Sequence, residues 1–187
     1  VLTSDREHNS NLVPWLQLEQ EQGVDHRIIP SLEDNSFDME TFEMMCADAS
    51  SKLKVVSLPQ VGNLDGVEFP VKDAAKIVHD HGGIMVVDAA QSAPHMSIDV
   101  QDMDADFIAF SLHKMLGPSG MGAMWGKAEL LDGLRTLSAG GETVISSDYD
   151  GMEWANSPHR FEGGLDNYAG ILGSSAAIEY LSEMDMN

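Results

Sequence analysis

Phe107-Ile-Ala-Phe-Ser-Leu-His-Lys-Met-Leu-Gly-Pro118 reads as an apolar strand running into a polar turn that Gly117-Pro118 closes. Near-continuous apolar runs of this kind predict strands covered by helices on both faces of a sheet. Lys114 is the exception to the pattern. Desolvation opposes an ammonium at the mouth of a buried strand. Chemistry favours one there, because a lysine whose pKa is lowered can form a Schiff base.

Outward from this stretch, short β-rich runs alternate with longer helical patterns. Strands are expected at Val1–Ser4, His26–Pro30, Lys54–Leu58, Ile84–Asp88, Phe107–Ser111 and Gly122–Trp125. Helices are expected at Leu12–Gln22, Met39–Ala49, Val71–His81, Lys127–Leu134 and Tyr168–Met184. The last of these would bury Ile171, Leu172, Ala176, Ile178 and Leu181. Gly23 and Gly82-Gly83 fit helix stops. Ser138–Gly164, rich in Gly, Ser, Asp and Asn, reads as one long surface excursion. The alternation predicts a layered α/β domain.

The 187 residues suffice for one sizeable core. Thirty-one acids against ten Lys plus Arg give a net charge of −21, which disfavours nucleic acid and anionic membranes as partners. Two readings of that acidity stay open, adaptation to a salty cytoplasm or a plain acidic domain. No apolar run has the length of a membrane span. Cys46 is the only cysteine, so no intrachain disulfide forms and a reducing, cytoplasmic setting is expected. The chain opens on Val1-Leu-Thr-Ser and stops at Met184-Asp-Met-Asn187, as expected of a segment of a larger protein.

Ligands of open α/β sheets gather at the carboxyl ends of strands. Here those ends lead to Glu7-His8-Asn9, Gln60-Val-Gly-Asn63, Asp88-Ala-Ala-Gln91 and Ser111-Leu-His113-Lys114. An amine, a carboxylate, an amide and an imidazole on one rim are what pyridoxal 5'-phosphate asks of a protein. The lysine holds its aldehyde and the carboxylate keeps its pyridine nitrogen protonated. Other signals are weaker. Gly122-Ala-Met-Trp-Gly-Lys127 lacks P-loop spacing. His79-Asp-His81 has no third metal ligand nearby. Met44, Met45 and Cys46 read as packing residues.

Glu7-His-Asn-Ser-Asn-Leu-Val-Pro-Trp15, Val86-Val-Asp-Ala-Ala-Gln91, Ser111-Leu-His-Lys-Met-Leu-Gly-Pro118 and Arg160-Phe-Glu-Gly-Gly164, in that order, resemble class V aminotransferases, nearest to cysteine desulfurases and selenocysteine lyases. The resemblance implies a three-layer α/β/α mixed sheet, the large domain of a fold type I pyridoxal-phosphate enzyme. Residues 1–187 would form most of that domain, without its N-terminal segment and C-terminal small domain. It implies that Lys114 is the Schiff-base lysine and that Asp88 pairs with the pyridine nitrogen. Gln91 would reach the ring oxygen, Asn63 would lie near that oxygen and the substrate, His8 would stack on the ring and help in proton transfer as a catalytic residue beside Lys114, and Ser111 and His113 would hold the phosphate. The implied reaction removes sulfur from L-cysteine to give alanine and an enzyme persulfide, in a homodimer that hands sulfur to an acceptor protein. Selenocysteine lyase, kynureninase-like, epimerase and non-catalytic binding-module readings are the alternatives. Three positions depart from the family pattern: Asn9 replaces a histidine, Gly62 a serine, and Leu165 a threonine that reaches the partner subunit's cofactor phosphate. The family's sulfur-accepting cysteine and substrate-binding arginine have no counterpart in residues 1–187.

Overall fold

A computed structural model describes residues 1–49 and 52–184. Six strands form one sheet: β1 (Leu2–Ser4), β2 (Arg27–Ile29), β3 (Val55–Pro59), β4 (Ile84–Asp88), β5 (Phe107–Ser111) and β6 (Gly122–Gly126). Their spatial order is β2-β1-β3-β4-β5-β6, parallel except for the antiparallel β5–β6 pair. The expected mixed α/β sheet is therefore present, and each expected strand lies within two residues of its place.

Period-two alternation assigns the two faces. Leu2, Val56, Leu58, Met85, Val87 and Ile108 point to one side and are essentially inaccessible. Helices α2 (Met39–Ala49) and α3 (Val71–Asp80) cover them. In α3, Val71, Ala74, Ala75 and Val78 recur at i, i+3, i+4 and i+7, so one stripe is buried. Gly82, at φ 70°, ends that helix in the left-handed conformation, as expected. Asp38 starts α2 by accepting the Thr41 N–H at 2.9 Å. The opposite face carries Thr3, Ser57, Val86, Asp88 and Ala109. Helix α1 (Asn9–Gln22) lies over part of it, where Ser57 donates to Asn11 Oδ1 at 2.6 Å. α1 begins three residues earlier than the apolar pattern suggested, because His8 caps it.

Two expectations are corrected. Ser138–Gly164 does lie largely on the surface, but it is more than a loop: it contains a hairpin of β7 (Val144–Ser147) and β8 (Met152–Trp154). Asp148 closes the hairpin by accepting the N–H groups of Asp150 and Gly151, both at 2.9 Å. Its strands are short and largely exposed, so no alternation marks them. The second correction concerns α6 (Tyr168–Ser182), which follows the short helices α4 (Val100–Met103) and α5 (Ala128–Gly133). It buries Gly170, Ser174, Ala177 and Leu181, while Ile171, Leu172 and Ile178 stay about half exposed or more. Small residues win because the helix approaches the chain after β5 closely. A Cβ on Gly173 would lie 2.8 Å from Pro118 Cγ.

The end of the sheet away from β4's carboxyl terminus holds a polar cluster that accounts for His79. Asp106, nearly inaccessible, meets His79 Nε2 at 2.8 Å, Lys127 Nζ at 2.8 Å and the Met85 N–H at 2.7 Å. Burial raises the Asp106 pKa, but these donors together outweigh it and hold the carboxyl below its ordinary value. Its stabilising contribution is then full above the unfolded carboxylate value of about 3.9 and is lost as pH falls through the lower folded value. Asp106→Ala leaves His79 Nε2 and the Met85 N–H without their acceptor, while Lys127 keeps Asp104 at 2.9 Å. The expected cost of the substitution is about 2–3 kcal/mol at neutral pH, and the share that comes from the carboxylate charge is lost as pH falls through the lowered folded value, as read from denaturant midpoints across pH. Among the described residues no helix is long and apolar enough to cross a membrane.

Candidate functional site

β1 sits between β2 and β3, although β2 follows it in the chain, and the connection then crosses to β3. Such a reversal of strand order opens a crevice at the carboxyl ends. A cavity of about 360 Å³ lies there, on the face opposite α2 and α3. His8, Asn63, Asp88, Gln91, Ser111, His113 and Lys114 all line it. The volume is of ligand-binding size.

Lys114 stands on a 3-10 turn, Leu112–Met115, directly after β5. Buried Leu112 anchors this turn, its N–H reaching Met121 O at 3.0 Å. Leu116 then takes φ 62°, an unfavourable conformation for leucine, which lets the Gly117 N–H return to Leu112 O at 2.8 Å. A Cβ at residue 117 would sit 2.8 Å from that same oxygen, so glycine is required. The half-buried lysine is thereby held at the cavity edge.

Asp88 ends β4 in register with Pro59 and Ala109. Its Oδ1 accepts the Ala90 N–H at 2.9 Å, and Oδ2 has no hydrogen-bond partner among the described residues. Val86 and Ala109, small and apolar, form a floor beside it. Gln91 lies one turn further on, where His95 Nδ1 donates to its carbonyl at 2.7 Å. Ser111 closes β5 opposite Gly122, and His113 is exposed on the lysine's turn.

His8 Nδ1 accepts the Ser10 N–H at 3.1 Å and so caps α1. That role places the proton of a neutral ring on Nε2. Asn63 is carried by the β3–α3 loop, which Gly62 and Val67 close at 2.8 Å. Gly62 has a local reason: a Cβ there would lie 2.7 Å from Asp65 Oδ1. The Asp65 carboxylate occupies that space and binds Arg6 at 2.6 Å. Leu165 is 80% exposed and does not line the cavity. Cys46 is buried in α2, and burial together with the Glu43 charge pushes its thiol up to about 12, which makes it a poor nucleophile.

Two residues with no role assigned from sequence belong to this region. Asn11 lines the cavity. Glu7 beneath it accepts from Ser4 N at 3.0 Å, Ser4 Oγ at 2.7 Å and Asn11 Nδ2 at 2.6 Å. Burial pushes its carboxyl up to about 7; the Ser4 and Asn11 hydrogen bonds oppose that rise and the Asp88 charge adds to it. The Ser4, Glu7, Asn11 spacing at a helix start was the available signal.

The class V aminotransferase family model matches residues 1–187. A probable cysteine desulfurase of Halalkalibacterium halodurans is 40% identical over 187 residues, all of this chain and 45% of the relative. A cysteine desulfurase of Haloferax volcanii is 38% identical over 186 residues, covering 43% of its length. The crystal structure of an Escherichia coli cysteine desulfurase superposes with a TM-score of 0.93 at 35% identity, over 100% of this chain and 46% of that one. The chain thus spans less than half the length of these relatives. A match of every residue to one family model, together with so near a superposition, makes the chain a member of the class V aminotransferase family.

Proposed function

We propose that the complete protein is a pyridoxal-phosphate-dependent cysteine desulfurase. The observation that carries this reading is the convergence of Lys114, Asp88, Gln91 and His8 on one cavity with a flat apolar floor. The donor set fits the cofactor: an amine for its aldehyde, a free carboxylate oxygen for its ring nitrogen, and hydroxyl and imidazole groups at Ser111 and His113 for its phosphate. When bound, pyridoxal phosphate supplies a carbonyl that captures the amino acid and a ring that accepts electrons.

The chain's own residues do the rest. With the cofactor bound, Lys114 would hold its aldehyde, and the same amine would move the substrate α-proton. Asp88 keeps negative charge at the ring nitrogen's position, with its backbone pinned by Gln60 N–H to Asp88 O at 3.0 Å. His8 would stack on the ring and help in proton transfer, and the Gln91 and Asn63 amides would orient the bound group. The C–S bond of L-cysteine breaks, a proton takes the place of sulfur and alanine leaves. The sulfur passes to a thiolate as a persulfide and then to an acceptor protein. Buried Cys46 cannot be that thiolate, so a cysteine outside residues 1–187 is required. We place the protein in the cytoplasm as a homodimer.

A second reading, a non-catalytic binding module on the same fold, is favoured by Leu165 at the position of the family's phosphate-reaching threonine. The two are separated by adding pyridoxal phosphate and L-cysteine to the full-length protein. A desulfurase develops a visible absorption band and releases alanine; a protein that stays colourless and inert is the module.

A further inference from the structure

The Glu7 network joins three elements that the chain brings together from far apart. Ser4 belongs to β1, Asn11 and Trp15 to α1, and Ser57 to β3. Both Glu7 oxygens are engaged, Oε1 by Ser4 N–H and O–H and Oε2 by the Asn11 amide. Asn11 is polarised in turn: its Oδ1 accepts Ser57 Oγ–H at 2.6 Å and Trp15 Nε1–H at 3.4 Å. With two donors on Oδ1, the Asn11 NH₂ must face Glu7, and only an acceptor suits that place. His8, the next residue, caps the same first turn of α1.

We propose that Glu7 is a positioning residue for the cofactor wall, its carboxyl locking the first turn of α1 onto β1 and β3 so that His8 and Asn11 present one fixed edge to the cavity. This rests on the pyridoxal-phosphate reading of the site. The charged groups around the network are Asp88 at the end of β4, Arg6, drawn aside to Asp65 at 2.6 Å, and Lys114 on the wall of the same cavity. Glu7 itself does not line the cavity; it acts through its neighbours.

The test is pyridoxal phosphate affinity, measured by absorbance titration of the folded full-length protein. Glu7→Gln turns one acceptor into a donor and sets NH₂ against NH₂ at Asn11. The expected result is affinity at least tenfold weaker. If Glu7→Gln does not fold, Glu7→Asp, which keeps the charge but shortens the reach to Asn11, is read in the same way. A purely structural role predicts lower thermal stability with unchanged affinity in the folded fraction. Unchanged affinity in Glu7→Gln overturns the inference alone. Failure of the wild type to bind pyridoxal phosphate overturns the functional reading, and this inference with it.

Discussion

Replacing Lys114 by alanine in the full-length protein is expected to lower alanine release from L-cysteine by about 10³-fold or more, while weak cofactor binding survives. The two effects separate because the lysine is one contact among several around the cavity. Asp88, Gln91, Ser111 and His113 line the same space and stay in place. The turn that carries Lys114 is held by Leu112 and Gly117, with no side-chain hydrogen bond from residue 114 among the described residues, so the fold is not at stake. Alanine release at the wild-type rate by Lys114→Ala would remove the lysine from its assigned role.

Asp88→Asn is expected to reduce turnover by about 10²–10³-fold, the range found when one preorganised electrostatic contact is lost. The substitution is nearly isosteric. Asparagine Oδ1 can still accept the Ala90 N–H that Asp88 receives at 2.9 Å, so the turn after β4 keeps its shape. What disappears is the negative charge facing the cavity. The unfolding midpoint should therefore move by less than about 1 kcal/mol while kcat collapses. A large stability loss with intact kcat would instead make Asp88 a turn-closing residue, the ordinary use of aspartate after a strand.

Much of this site could be read along the chain, for a physical reason. Apolar runs such as Ile84–Val87 and Phe107–Phe110 mark buried strands, and the first polar residues after them, Asp88 and Ser111, stand at strand ends whatever the sheet order. The amphipathic stripe of α3 was equally local. Two features resisted. The apolar residues of α6 suggested a face through Ile171, Leu172 and Ile178, yet contact runs along Gly170, Ser174 and Ala177, because closeness of approach, not side-chain hydrophobicity, selects that stripe. The β7–β8 hairpin rests on the Asp148 turn, with too few buried positions to show a period.

Glu7 and Asp106 illustrate the boundary between the two kinds of information. Taken alone, each is an acid near a strand in a chain that has 31 acids. Glu7 acquires meaning only because β1 lies beside β3 and sets Asn11 against Ser57, 46 residues away. Asp106 does so only where α3, β4 and the residue after β6 converge on it. The chain by itself thus determined the order of the six sheet strands and the longer helices and the chemistry at the strand ends, since both follow from short-range periodicity. Tertiary structure decided which of those ends share a cavity and which acids are buried, because strand order and desolvation depend on contacts between residues far apart in the chain.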